Sequence, residues 1–119
     1  MKSRNEVLAL MKEYALKVKD VYGDKLVKII LYGSYARGDY NEDSDIDVMI
    51  LIDVPPGQQQ DNIDALLDFN FDFNEQHQTF IMPMTQSKLF FDRLKDIESF
   101  FINIEEEGVV LYDSCRWCW

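Results

Sequence analysis

Apolar residues recur with a helical period over the first part of the chain. Val7, Leu8, Met11, Ala15, Val18 and Tyr22 form one stripe, which predicts a helix from about Ser3 to Tyr22. Ser3 and Glu6 have capping-box spacing, so each can satisfy a free backbone N–H at the helix start, and Gly23 stops the helix. The period then changes. Leu26 to Tyr32 (LVKIILY) is apolar and β-branched, and predicts a strand mostly buried on both faces. After a polar stretch, Asp45 to Ile52 (DIDVMILI) predicts a second strand, closed by Asp53-Val54-Pro55-Pro56-Gly57.

Residues 58–76 carry two signals. Ile63, Leu66, Leu67, Asn70 and Phe71 fit a helical stripe, whereas Phe69, Phe71 and Phe73 alternate as a strand would. The length of the segment favours the helix. Thr79 to Met84 predicts a third strand, with Pro83 placing it at an edge or a bulge. Ser87 to Glu107 returns to helical spacing through Phe90, Leu94, Ile97, Phe101 and Ile104, with Gly108 as its cap and Val109–Leu111 as a short final strand. The order α-β-loop-β-α-β-α makes this an α/β (α+β) chain, a small sheet with helices packed on it.

With 119 residues, 47% of them apolar and 29% charged, the chain has room for one domain, taken as residues 1–112 with residues 113–119 as a tail. No run approaches the length of a membrane span, and MKSRNEVLALMKEY is no signal sequence, so a cytoplasmic location without membrane contact is expected. The net charge of −10 argues against direct nucleic-acid binding, which draws its affinity from Lys and Arg neutralising phosphates. It is compatible with a metal-dependent enzyme and with a basic protein partner. Cys115 and Cys118 make at most half a zinc site, and His77, the one histidine, has no further ligands around it; both are read as incidental or structural. Glu105–Glu107 read as a solvated helix end, and Trp117 and Trp119 as packing on the body or on a second copy; a homo-oligomer is left open.

The chemistry concentrates in GSYARGDYNEDSDID, residues 33–47. Asp45 and Asp47 are two apart on a strand, so they share a face about 6.6 Å apart. Two carboxylates at the mouth of a buried strand repel each other and are costly to desolvate. A divalent cation removes that cost, and Mg²⁺ favours one or two carboxylates together with substrate phosphates. Gly33-Ser34, directly after a buried strand, lets a phosphate approach the backbone and offers a hydroxyl donor.

Gly33-Ser34, ten residues, then Asp45-Ile46-Asp47 resembles the signature of polymerase-beta-type nucleotidyltransferases. The longer string Gly33-Ser34-Tyr35-Ala36-Arg37-Gly38-Asp39 with Ser44-Asp45-Ile46-Asp47-Val48 resembles their minimal (MNT) group, and residues 103–112 are similar to the end of many such proteins. The resemblance implies a polymerase-beta-like fold, a short mixed sheet flanked by helices, and transfer of a nucleoside monophosphate, AMP from ATP in the first instance, to a hydroxyl. It implies Asp45 and Asp47 as catalytic and metal-binding residues, Gly33, Ser34 and Arg37 as nucleotide-binding residues, and Mg²⁺ as cofactor. It also implies a HEPN-domain protein as partner, with this chain as antitoxin modifying a protein hydroxyl. The alternatives are an antitoxin acting by binding alone, or an enzyme that nucleotidylates a small molecule. The family pattern includes a third carboxylate on the following strand. Residues 77–84 hold no acid; Gln78 is assigned to that position, with Asp72 and Glu75 upstream.

Overall fold

A computed structural model describes residues 2–114. The Cys115/Cys118 pair, Trp117 and Trp119 lie outside the described residues. Helix α1 is Arg4–Tyr22; Ser3 caps it, its side chain accepting from the Glu6 amide while the Glu6 carboxylate accepts from the Ser3 amide. The buried face is Val7, Met11, Tyr14, Ala15, Val18 and Tyr22, so Tyr14 joins the stripe and Leu8 lies only partly buried beside it. A single 3-10 turn, Gly23–Lys25, leads into strand β1, Leu26–Tyr32.

Strand β1 pairs antiparallel with β2 (Ile46–Ile52) on one side and with β4 (Val109–Asp113) on the other. Strand β3 (Ile81–Ser87) runs parallel to β2, giving the order β3-β2-β1-β4. Pro83 thus sits in an edge strand, where a missing ladder N–H is tolerated. Helices cover both faces. On one face, α1 and α3 (Ile63–His77) bury Ile46, Val48, Ile50 and Ile52 of β2. On the other, α4 (Lys88–Leu94) and α5 (Ser99–Glu107) bury Met49 and Leu51, through Phe91, Phe101 and Ile104. Each fully buried Ile or Leu contributes about 1.5–3 kcal/mol relative to exposure. Within β2 only Asp47 escapes full burial, because the α4/α5 cover ends at Met49.

Three expectations need correction. The helix at 58–76 forms, but its buried face is Leu66, Asn70 and Phe73 with Phe69 beside them; Leu67 and Phe71 are 49% and 64% exposed. Tyr14 selects that face, its ring packing on Phe69 at 5.0 Å and edge-on to Phe73 at 5.2 Å. The long helix at 87–107 is two helices. A continuous helix would hold Phe91 and Phe101 about 15 Å apart, whereas the chain turns back after Leu94 and brings the rings to 5.4 Å over the sheet. Ile97, placed in the stripe from sequence, lies in that turn and is 76% exposed. Gly108 ends α5 in an extended conformation; a side chain there would overlap Ile30 and the Ile104 carbonyl where the chain crosses to β4.

The third strand begins at Ile81, two residues later than Thr79, and Gln78 is not in it. Gln78 caps α3 in the left-handed conformation (φ 53°). Two asparagines of α3 pin the start of β3. Asn74 accepts from the Ile81 amide (2.8 Å), and Asn70 and Asn74 donate to its carbonyl (3.1 and 3.2 Å). Asn70 also accepts from the buried Tyr14 hydroxyl at 2.7 Å. This clamp sets which β3 residue stands beside each residue of β2.

Candidate active site

Gly33 follows β1 and opens α2, the single helical turn Ser34–Arg37. Its carbonyl accepts from the Ala36 and Arg37 amides at 3.1 Å each, which leaves the Ser34 and Tyr35 amides at the open start of the turn. Gly33 has φ 77° and ψ −154°, a region almost confined to glycine. A Cβ built there would stand 2.5 Å from Asp47 Oδ2. The turn and the carboxylate are therefore in direct apposition, as the pairing of Tyr32 with Asp47 across β1 and β2 requires.

The turn is held from outside. Arg4 Nε donates to the Tyr35 carbonyl (3.0 Å), the Arg4 amide donates to the Tyr40 hydroxyl (2.9 Å), and the Tyr35 and Tyr40 rings stack at 4.4 Å. Residues 41–44 close a second turn, in which the Asn41 amide donates to Ser44 Oγ (2.9 Å) and the Ser44 amide donates to the Asn41 carbonyl (3.1 Å). It delivers Asp45 to the mouth of β2, where Asp45 is exposed and Asp47 half-buried.

Partial burial raises the Asp47 pKa above its ordinary value, the neighbouring Asp45 charge raises it further, and Arg37 opposes both. Tyr32, alongside, is pushed up to about 12 by burial and then by Asp47. Arg37 leans the other way. Its guanidinium donates to Asp39 (3.2 Å) and lies 3.7 Å from Glu107 of α5, and these partners raise its pKa. A cleft of about 120 Å³ runs between this turn and α5, with Tyr32, Gly33, Arg37, Phe100, Asn103 and Glu107 along its walls.

Gly33, Ser34, Arg37, Asp45 and Asp47 thus converge on one end of the sheet. Gln78 lines a pocket with Ser44 and Ile46 near this end but lies off the ladder: the residue level with Asp47 is Met82, half exposed on the same face. Among the described residues no third acid or histidine joins the pair. Sequence reasoning passed over Tyr32, although its place one residue before the glycine turn signalled it. It gave Tyr40 no role although it lies within residues 33–47, read Glu107 only as part of a solvated helix end, and passed over Arg4, which comes from a distant segment and carries no local signal.

The family model for the nucleotidyltransferase domain matches residues 11–112. This chain belongs to the nucleotidyltransferase-domain family. It is 39% identical over 108 residues to the candidate protein adenylyltransferase MJ0604 of Methanocaldococcus jannaschii, covering 91% of this chain and 99% of that one. Three solved structures share the fold. A candidate nucleotidyltransferase from Sulfolobus solfataricus has TM-score 0.61 and 20% identity over 95% of this chain and 86% of that one. A mutant MntA-HpeT toxin–antitoxin complex has TM-score 0.56 and 18% identity, and a toxin–antitoxin crystallised with AMP-PNP has TM-score 0.57 and 20% identity; each alignment covers 87% of this chain and 73% of the other. In this nucleotidyltransferase the acidic pair Asp45 and Asp47 lies where two surfaces meet, the glycine turn and the start of β2. Among its described residues no helix is long and apolar enough to cross a membrane.

Proposed function

We propose that this nucleotidyltransferase transfers AMP from Mg²⁺-bound ATP to a hydroxyl of a protein partner, acting in the cytoplasm as the antitoxin of a HEPN-type toxin. The observation that carries the reading is Asp47, half-buried beside Asp45 and in apposition to the backbone of Gly33. Two oxygen-donor carboxylates whose charges are mutually unfavourable suit a hard divalent cation, and a pair leaves coordination positions for phosphate oxygens. The relative MJ0604 bears the name of a protein adenylyltransferase, and structural neighbours are toxin–antitoxin proteins, one with an ATP analogue, which supports the choice of acceptor and nucleotide.

In this reading Asp45 and Asp47 hold the metal, which would neutralise charge on the transferring phosphate. Ser34 and the amides at the start of α2 orient the triphosphate against Gly33. Arg37, released from Asp39 and Glu107, supplies positive charge to it. The acceptor oxygen bonds to the α-phosphorus as the bond to the bridging oxygen breaks; pyrophosphate leaves and the hydroxyl proton passes to solvent. Such chemistry is mostly positioning and charge neutralisation. Binding without transfer is favoured by one specific observation, Met82 beside Asp47 where a third carboxylate would stand. Mass spectrometry decides between the two. The product of the neighbouring gene, incubated with this protein, ATP and Mg²⁺, gains one AMP if the reading holds. A tight, unmodified complex would make the protein a binding antitoxin.

A further inference from the structure

Residues 38–87 contain 11 acidic residues and no Lys or Arg. In the fold this stretch supplies Asp45, Asp47, α3 and the edge strand β3. Its surface is also apolar. Phe71 on α3 and Phe80 just before β3 are 64% and 73% exposed. Together with Asn74, Glu75, Gln78 and Thr79 they line a groove of about 500 Å³. On α3 the outward positions Asp64, Leu67, Asp68, Phe71 and Glu75 follow each other at helical spacing, so acids and large apolar side chains share one face.

One wall of the groove, Phe80, stands beside the start of β2. The Phe80 carbonyl accepts from the Ile46 amide at 2.9 Å, between Asp45 and Asp47. Two residues further along, about 6.6 Å, Met82 stands level with Asp47 and is 54% exposed.

We propose that the groove between α3 and the start of β3 docks a basic, amphipathic protein segment and leads its hydroxyl to Asp45 and Asp47. The placing of the hydroxyl rests on the transfer reading above; the docking of the segment does not. Charge chooses the occupant. The exposed acids of α3, Asp64, Asp68 and Glu75, disfavour nucleic acid and anionic lipid, and they set acid against acid if a second copy binds through the same face. A segment with Lys or Arg on one side and aromatic or aliphatic residues on the other satisfies both components, the acids from its rim and the two rings from its apolar side.

The test uses an 18-residue Lys/Leu amphipathic peptide containing one Tyr, and a counterpart with every Lys replaced by Glu. Fluorescence anisotropy measures their binding to the parent, to Phe71→Ser/Phe80→Ser, to Asp68→Lys/Glu75→Lys, and to Ile97→Ser, which changes an exposed apolar residue elsewhere. Thermal unfolding checks that each variant is folded, and a calorimetric Mg·ATP titration is run on each. The basic peptide is expected to bind the parent and Ile97→Ser alike, and to lose at least tenfold in affinity for the two groove variants. The acidic peptide is expected to bind only the charge-reversed variant. Mg·ATP affinity should be unchanged by Phe71→Ser/Phe80→Ser. Equal binding of the basic peptide to all four proteins overturns the proposal, as does no binding to any of them. A parent dimer that Phe71→Ser/Phe80→Ser dissolves in sedimentation also overturns it, in favour of a second copy. Groove-dependent peptide binding without Mg·ATP binding would support the docking and remove the transfer reading.

Discussion

Gly33→Ala tests the apposition of turn and carboxylate most directly. The substitution has two costs. The backbone at φ 77°, ψ −154° is strained for any side-chain-bearing residue, at about 1–3 kcal/mol. The new Cβ would also meet Asp47 Oδ2 at 2.5 Å and Cγ at 3.3 Å, forcing the carboxylate off its rotamer at about 0.5–1.5 kcal/mol. The expected loss is roughly 1.5–4.5 kcal/mol, tolerable for a domain of about 5–15 kcal/mol total stability. A double-mutant cycle separates the two costs. Asp47→Ala removes Oδ2 and Cγ and leaves only a Cβ at an ordinary 3.4 Å. In that background Gly33→Ala should lose only the backbone cost, giving a coupling of about 0.5–1.5 kcal/mol. Urea unfolding followed by circular dichroism measures all four proteins. A Gly33→Ala loss below about 0.5 kcal/mol, or a coupling of zero, would refute the placement of Asp47 against the turn.

Asp45→Asn/Asp47→Asn should abolish Mg²⁺-dependent ATP binding in calorimetry while the metal-free protein stays folded and becomes more stable, since a like-charge contact disappears; unchanged Mg·ATP affinity would move the site elsewhere. The pH dependence has a definite sign. The folded state holds the Asp47 proton more tightly than the unfolded chain, so this group's contribution to metal-free stability is present below its ordinary value of 3.8 and is lost as pH rises through the raised folded value. The stability advantage of Asp47→Asn over the parent should therefore grow with pH across that window and then level off, and Mg²⁺ affinity of the parent should fall as pH drops through it; denaturant melts at a series of pH values read both. Met82→Asp, which sets an acid level with Asp47, should raise AMP transfer at least tenfold when followed with labelled ATP, whereas Gln78→Asp, at a helix cap off the ladder, should not. A rise with Gln78→Asp alone would reverse that assignment.

Local physics made much of this protein legible in one dimension. A capping box at Ser3 and Glu6, a β-branched run at 26–32 and paired prolines after 54 are each decided by neighbours within a few residues, and those elements lie where the pattern put them. The acidic pair was legible for the same reason: Asp45 and Asp47 lie two apart at the start of β2, Asp45 just outside it, and Gly33-Ser34 follows the adjoining strand, so one antiparallel pairing brings them together. What depended on distant partners was not legible. The buried face of α3 is chosen by the Tyr14 ring, from a helix more than 40 residues earlier, which is why Leu67 and Phe71 turn outward. The break between α4 and α5 follows from packing two phenylalanines over one patch of sheet, against a local pattern that reads as unbroken helix. The neighbour of Asp47 in the parallel strand is set by the Asn70/Asn74 clamp on Ile81, so only the tertiary structure could place Met82 there and move Gln78 away. Sequence fixes which groups exist and their order along each element; register and facing between elements are properties of the packed whole, because the energy that selects them comes from side chains far apart in the chain.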